Sequence, residues 1–211
     1  MAQVKICGLR EQAHVAVALD AGARYLGFVF FPKSPRAVSA AEAAELTSQV
    51  PAGIARVGLF VNPDDAMLQA VLSEAPLDLI QLHGDETPQR VAEVKSRFGL
   101  PVMKAVGIAA PEDMVRLTDY GLAADMLLMD AKPPEDAVLP GGNGLAFDWR
   151  LLAGRRWLKP WMLAGGLTPG NVAEAVRLTG APCVDVSSGV ESARGQKDAG
   201  LIRDFITAAG G

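Results

Sequence analysis

Eight short apolar segments divide this 211-residue sequence, and each is followed by a helical pattern or by a segment long enough to form a helix. Short apolar runs bounded by turn residues are typical of buried strands. Strands that alternate with helices pair in parallel, because a parallel connection needs a crossover. Eight such units predict a (β/α)8 barrel, a TIM barrel, as a single domain over residues 1–211. The predicted strands span residues 4–7, 25–30, 56–60, 79–82, 102–106, 126–130, 161–164 and 184–186.

An open, doubly wound parallel sheet is the alternative fold. The dinucleotide-binding form of that fold carries Gly-x-Gly-x-x-Gly after its first strand. This sequence has Cys7-Gly8-Leu9-Arg10 at that position instead. The length also suits a closed barrel, since such barrels often run to about 200–250 residues as one domain.

The composition excludes several classes of protein. Half of the residues are hydrophobic and 21% are charged, which argues against disorder, and the net charge of −4 gives no support for a nucleic-acid partner. No apolar run approaches the roughly 20 residues of a membrane span, and none resembles a signal peptide. Two cysteines, Cys7 and Cys183, are too few for a disulfide framework. We expect a cytoplasmic protein, monomeric or homodimeric, that binds a small molecule and neither nucleic acid nor membrane.

Active sites of (β/α)8 barrels lie at the carboxyl ends of the strands, so side-chain alternation selects the candidate residues. On each strand the apolar partners suit the helix-facing side and leave polar residues facing inward. Buried polar groups cost free energy unless they are paired. Lys5 and Asp185 lie on the first and eighth strands, which become neighbours on closure and should form an ion pair. The predicted inward polar set is Lys5, Cys7, Gln81, His83, Asp130 and Asp185.

Cys7 and Asp130 end strands one and six and could face each other across the barrel mouth. A thiolate can accept a proton and a neutral carboxylic acid can donate one. These roles require a lowered pKa for the Cys7 thiol and a raised pKa for the Asp130 carboxyl. Cys7 could instead be a small buried hydrophobe, and Asp130 could cap the following loop. His83 could contact a ligand or be purely structural.

Two small-residue loops predict a phosphate site. Gly165 and Gly166 follow strand seven, and Ser187, Ser188 and Gly189 follow strand eight. Loops at these two places are the usual phosphate site of this fold, because their backbone N–H groups can approach an anion. Ordinary turn chemistry is the alternative, since Gly-Gly is a turn signal anywhere.

Arg36 lies in a proline-stiffened loop after strand two and could bind a substrate carboxylate through two hydrogen bonds. A solvated arginine at the rim is the alternative reading. No group of His, Cys and acidic residues has the spacing of a metal site, so the sequence predicts no metal.

Eight motifs, taken together, resemble phosphoribosylanthranilate isomerase of tryptophan biosynthesis. They are KICGLRE (5–11), GFVFFPKSPR (27–36), VGLFVN (57–62), QLHGDE (81–86), LLMDAK (127–132), GGNGLAFDW (141–149), LAGGLTPGNV (163–172) and VDVSSGVE (184–191). The resemblance implies a cofactor-free Amadori rearrangement of N-(5-phosphoribosyl)anthranilate in a (β/α)8 barrel. It implies Cys7 as general base, Asp130 as general acid and Arg36 as the carboxylate-binding residue. It also implies the two small-residue loops as phosphate ligands.

The resemblance is weaker in two places. The family often has a basic residue before FDW, where this chain has Gly144-Leu145-Ala146, and residues 193–196 are also less typical. Among other phosphate-binding barrels, indole-glycerol-phosphate synthase needs lysine and glutamate catalysts at strand ends. The histidine-pathway isomerase needs an Asp where this chain has Cys7. A barrel that binds phosphate without catalysis is the alternative outside the enzymes.

Overall fold

A computed structural model describes residues 1–134, 137 and 139–210 of the chain. Eight parallel strands close into one barrel in sequence order, which confirms the predicted (β/α)8 fold. Part of the segment after the sixth strand lies outside the described residues. The strands are β1 Gln3–Cys7, β2 Tyr25–Val29, β3 Ala55–Phe60, β4 Leu79–Leu82, β5 Val102–Ile108, β6 Met126–Ala131, β7 Trp161–Leu163 and β8 Cys183–Val186.

Seven α-helices surround the barrel in the described part of the chain. The second helix begins with a capping box, in which Ser39 Oγ accepts from the Glu42 N–H. The helices are α1 Gln12–Asp20, α2 Ala40–Thr47, α3 Asp65–Glu74, α4 Pro88–Phe98, α5 Arg116–Ala123, α6 Val172–Thr179 and α7 Ala199–Gly210.

Two features of the connections depart from a regular alternation. Between β6 and β7, the described residues contain only a three-residue 3-10 helix, Trp149–Leu151. After β8, a 3-10 helix, Ser188–Val190, leads into an antiparallel hairpin that the sequence did not predict. The hairpin consists of β9 Glu191–Ala193 and β10 Gln196–Lys197. It belongs to the loop side of the barrel and therefore to the side where a site is expected.

The barrel interior is apolar at one end and polar at the other. The interior apolar layer contains Val57, Leu79, Met103, Ala105, Met126, Leu128, Met162, Ala164 and Cys183. Residues of opposite parity, such as Ile6, Ile80 and Val184, pack with the helices instead. Each such large apolar side chain stabilises the fold by roughly 1.5–3 kcal/mol when fully buried. The predicted alternation is thus confirmed, and among the described residues no helix is both long and apolar enough to cross a membrane.

Candidate active site

The carboxyl ends of the strands surround an open cavity. Every predicted site residue except Lys5 and Gln81 contributes to its lining, and these two side chains lie completely buried in the barrel. Within the described part of the chain, no group of three or more His, Cys, Asp or Glu side chains could hold a metal ion. The predicted residues in the lining are Cys7, Arg36, His83, Asp130, Gly165, Gly166, Asp185, Ser187, Ser188 and Gly189.

The predicted ion pair between β1 and β8 is present. Lys5 and Asp185 are partners in the register of the two strands, and Lys5 Nζ donates to Asp185 Oδ1 at 2.9 Å. Burial alone would lower the pKa of Lys5, but the Asp185 carboxylate and Cys7 outweigh it, so the pKa of Lys5 is raised. The lysine therefore stays protonated beside Cys7.

Cys7 lies two residues beyond Lys5, at the mouth of the barrel. Its thiol is buried beside Val29 and Leu59, and this burial raises its pKa, while the charge of Lys5 partly opposes the increase. The lowered pKa that the sequence argument required is therefore not found, because desolvation by these apolar neighbours exceeds the stabilisation of the thiolate. Gly27 on β2 makes room for this group: a Cβ at Gly27 would lie 3.0 Å from Cys7 Sγ.

Asp130 is held from two directions. Its Oδ2 lies 3.2 Å from His83 Nε2, and its Oδ1 accepts from the Ala131 N–H at 2.8 Å. The second contact is of the capping kind that the sequence left open, yet the other oxygen faces the cavity side chains. Gln81 Nε2 lies 2.9 Å from His83 Nδ1. A Gln81 amide that donates to Nδ1 leaves the ring proton on Nε2, directed at Asp130.

The loop after β6 covers this carboxylate with backbone. A Cβ at Gly141 would lie 2.6 Å from His83 Nε2 and 2.8 Å from Asp130 Oδ2. A glycine is therefore required for the loop to approach both groups so closely. The sequence argument did not single out Gly141, because Gly-Gly in a proline-rich loop has the appearance of an ordinary turn.

The loop after β7 has the backbone geometry of an anion site. Gly165 and Gly166 have φ angles of 87° and 63°, in the left-handed region that favours glycine. Among the described residues, no hydrogen bond uses the N–H of either glycine. Ser188 opens the adjacent 3-10 helix, and Ser187 Oγ donates to the Cys7 carbonyl at 3.2 Å. The arrangement leaves backbone donors facing the cavity beside a serine hydroxyl, which is what a phosphate binds.

Arg36 is buried, with 4% of its surface exposed, so it is not a solvated rim residue. Its Nε and Nη2 donate to the two carboxylate oxygens of Glu191 at 2.6 and 2.9 Å. Nη2 also lies 3.4 Å from the Gly142 carbonyl, whereas Nη1 makes no hydrogen bond with any described residue. The Nη1 end of the guanidinium is thus available to a second carboxylate.

Glu191 and Lys197 are site residues that the sequence argument did not single out. Glu191 was visible only as the last letter of VDVSSGVE, and Lys197 lies on a two-residue strand with no periodic pattern. Lys197 Nζ donates to Glu191 Oε1 at 2.8 Å and to the Ser187 carbonyl at 2.9 Å. Both residues become recognisable only once the hairpin after β8 folds back towards Arg36.

A family model described as N-(5'phosphoribosyl)anthranilate (PRA) isomerase matches residues 4–208. The chain is 74% identical over 206 residues to N-(5'-phosphoribosyl)anthranilate isomerase of Paracoccus denitrificans, covering 98% of this chain and 96% of the relative. The corresponding protein of Cereibacter sphaeroides is 58% identical, with 98% of both chains covered.

The solved structures give the same answer. Phosphoribosyl anthranilate isomerase from Thermotoga maritima matches with a TM-score of 0.89 and 36% identity, covering 100% of this chain and 99% of that one. A second solved isomerase is bound to reduced 1-(o-carboxyphenylamino)-1-deoxyribulose 5-phosphate and matches with a TM-score of 0.87 and 34% identity, with 100% and 99% covered. The cavity, its residues and these similarities lead to one conclusion: the chain belongs to the N-(5'-phosphoribosyl)anthranilate isomerase family.

Proposed function

We propose that the protein isomerises N-(5'-phosphoribosyl)anthranilate to 1-(2-carboxyphenylamino)-1-deoxyribulose 5-phosphate, a step of tryptophan biosynthesis. The reaction is an Amadori rearrangement, which converts an aldose-amine into a ketose-amine within one molecule. Membership of the isomerase family supports this activity. The observation that carries the mechanism is that Cys7 and Asp130 line one cavity, between Arg36 and the glycine loop.

The two ends of the substrate match the two ends of the cavity. We assign the phosphate to the loops of Gly165, Gly166, Ser187, Ser188 and Gly189, and the anthranilate carboxylate to the available end of Arg36. A relative bound to a reduced phosphorylated product supports the assignment of a phosphorylated ligand to this family of sites. Fixing both ends holds the sugar between the acid and the base, so that the proton transfers become effectively unimolecular.

Asp130 acts as the general acid in its protonated form. It gives its proton to the ribose ring oxygen, the bond from that oxygen to C1′ breaks, and a protonated imine forms. The contact with His83 orients the carboxyl group, and the backbone of Gly141 keeps water away from it.

Cys7 acts as the general base on the open-chain intermediate. The cationic imine acidifies the C2′ proton, which the thiolate of Cys7 removes, and the resulting enolamine tautomerises to the ketone. Because burial raises the pKa of Cys7, the thiolate is scarce near neutral pH but is a stronger base once formed. Lys5 supports the thiolate electrostatically, and Asp185 keeps Lys5 in place.

The test is turnover of the purified protein, followed by the loss of anthranilate fluorescence. Asp130→Asn should lower kcat by about 10²–10⁴-fold, as expected for a lost proton donor, while inorganic phosphate still binds. Cys7→Ser should also lose most of its rate, because a serine hydroxyl is a much weaker base. Asp204→Asn, on the exposed face of α7, is the matched control and should keep the full rate.

A phosphate-binding barrel without catalytic activity is the competing reading. It would bind phosphate, fail to turn the substrate over and tolerate loss of Cys7 or Asp130. Near-normal rates in Asp130→Asn would remove the general-acid role, and no turnover by the unaltered protein would remove the proposed activity.

We also propose that the protein acts in the cytoplasm, as a monomer or a homodimer. The relative from Thermotoga maritima is named as a dimeric isomerase from which monomers were generated, so both forms occur for this fold. Sedimentation velocity over a range of protein concentrations distinguishes the two assemblies.

A further inference from the structure

Lys197 occupies a position between the two proposed ends of the substrate. The residue is buried, with 6% of its surface exposed, and the hairpin β9–β10 brings it against the end of β8. Its Nζ donates to the Ser187 carbonyl at 2.9 Å, to Ser187 Oγ at 3.3 Å and to Glu191 Oε1 at 2.8 Å. The ammonium group thus binds one residue of the phosphate loop and one residue next to Arg36.

Glu191 transmits the second contact to Arg36. Its carboxylate accepts from Arg36 Nε and Nη2, from Lys197 Nζ and from the Gly195 N–H at 3.0 Å. Burial would raise the pKa of Glu191, but the hydrogen bond from Arg36 and the charge of Lys197 lower it to about 2. The carboxylate is therefore ionised and held by two cations, which fixes the orientation of the Arg36 guanidinium.

The charges of this group suit an anionic ligand. Arg36 and Lys197 are cations and Glu191 is one anion, so the three side chains leave one net positive charge beside the cavity. Ser187, the other partner of Lys197, donates to the carbonyl of Cys7. A continuous set of hydrogen bonds therefore runs from Arg36 through Glu191 and Lys197 to the loop after β8.

We propose that Lys197 is a positioning residue that couples the two binding ends: it orients Arg36 through Glu191 and orients the phosphate loop through Ser187. The inference rests on the proposed function, because it takes Arg36 and the Ser187 loop as the two binding ends. Lys197 does not line the cavity, so it acts through these residues and not on the substrate directly. The opposing view is that Lys197 only fastens the hairpin to the barrel.

The experiment measures the two ends separately by calorimetry, with inorganic phosphate and anthranilate as probes. Binding by calorimetry does not depend on turnover, so the inference can fail while the isomerase activity stands. Lys197→Met should weaken binding of both probes by about tenfold each, as expected for the loss of charge-assisted hydrogen bonds that orient the binding groups. Glu191→Gln should weaken anthranilate binding and leave phosphate binding within about twofold.

The double variant supplies the decisive comparison. Among the described residues, the hydrogen bonds that link Lys197 to Arg36 pass through Glu191. The double variant E191Q/K197M should therefore bind anthranilate no more weakly than the single variant with the weaker binding does. Lys197→Met should weaken phosphate binding by the same factor whether residue 191 is glutamate or glutamine. Lys197→Gln gives the same comparison if the methionine variant fails to fold.

Lys104→Met is the matched control, because it removes another buried lysine and its ion pair, on the outer side of the barrel. It should lower the midpoint of urea unfolding without weakening either probe. If Lys197→Met lowers stability in the same way and leaves both dissociation constants unchanged, the coupling role is wrong. Additive losses of anthranilate binding in the double variant would also overturn it.

Discussion

Two lysines are buried in the wall of the barrel, on opposite sides of it. Lys5 on β1 is fully buried and points into the barrel, whereas Lys104 on β5 has 1% of its surface exposed and points towards the helices. Lys5 Nζ binds Asp185 at 2.9 Å beside Cys7. Lys104 Nζ binds Glu86 at 3.0 Å and the Gly84 carbonyl at 2.7 Å.

The two ion pairs do different work. Burial would lower the pKa of both lysines, but Asp185 and Cys7 reverse that effect at Lys5, whose pKa is raised. At Lys104 burial exceeds the effect of Glu86, and the pKa is lowered. Lys104 holds the loop after β4, which Tyr120 also holds through a hydrogen bond to the Glu86 carbonyl. A buried lysine–carboxylate pair is therefore not by itself a sign of a catalytic site. Its role depends on whether it lies on the inner or the outer face of the barrel strands and on the side chains next to it.

Lys5→Met should have the largest effect of the changes that test this contrast. Removing one partner leaves the Asp185 charge buried and unpaired, which costs about 3–5 kcal/mol of unfolding free energy. The Cys7 thiolate also loses its nearest cation, so we expect kcat/KM to fall roughly 10²-fold. Urea unfolding and the fluorescence assay measure the two quantities. Adding Asp185→Asn should recover stability without recovering the rate; a normal rate in Lys5→Met would give Lys5 the same purely structural role as Lys104.

Lys104→Met should cost a similar amount of stability and much less activity. Glu86 would be left buried without its cation, again at about 3–5 kcal/mol. Because Lys104 lies outside the barrel, kcat/KM should change less than about tenfold, through small shifts of the loop that carries His83. If this variant loses as much kcat/KM as Lys5→Met does, the distinction between a catalytic role for Lys5 and a structural role for Lys104 is wrong.

The two lysines should also give opposite slopes of stability against pH in the alkaline range. The raised pKa of Lys5 gives stability that is present below its ordinary value of 10.5 and is lost as the pH rises through the higher folded value. The lowered pKa of Lys104 means that the unfolded chain binds more protons, so its contribution rises as the pH approaches 10.5 from below. Urea unfolding from about pH 8 to 11, compared with each methionine variant, isolates the two slopes. Equal slopes would contradict the opposite directions.

Tyr120→Phe should have the smallest effect. It removes the hydroxyl that donates to the Glu86 carbonyl at 3.0 Å and keeps the ring beneath Lys104, whose Nζ lies 5.4 Å from the ring centroid. We expect a loss of about 1 kcal/mol, the usual net value of one hydrogen bond. The rate should stay unchanged, and Tyr25→Phe, in the barrel interior, is the matched control. A loss above about 3 kcal/mol would mean that the carbonyl depends on this donor alone.

The sequence predicts the inner side of the barrel well because its signals are local. Alternation within a strand assigns Lys5 and Asp185 to the interior, and closure of eight strands makes β1 and β8 neighbours, so the ion pair follows. The position of the glycine loops after β7 and β8 marks them as a phosphate site, and the family resemblance supports both these loops and Arg36. None of these steps requires knowing how a loop folds.

The rest of the site depends on contacts between segments far apart in the chain. Arg36 meets Glu191 across 155 positions, and a two-residue strand places Lys197, so no periodic pattern marks either contact. The pKa of Cys7 was wrong in direction, since the sequence shows the cation nearby but not how completely Val29 and Leu59 exclude water. Lys104 was not singled out because the alternation argument selected polar residues on the inner face of the strands, and Lys104 lies on the outer face.

The burial of Cys7 also means that the alkylation rate of its thiol can report how often the cavity opens. Only 4% of the residue is exposed, so an alkylating reagent can reach the sulfur only after the surrounding loops have parted. With reagent in excess, the alkylation rate equals the rate at which the cavity opens spontaneously. A bound phosphorylated ligand should lower this rate in proportion to the fraction of protein that it occupies. The second cysteine, Cys183, begins β8 at the opposite end of the barrel and has 7% of its surface exposed, so a Cys183→Ala background is needed for the label to report on Cys7 alone. One labelling experiment on that variant would thus measure how often the cavity opens.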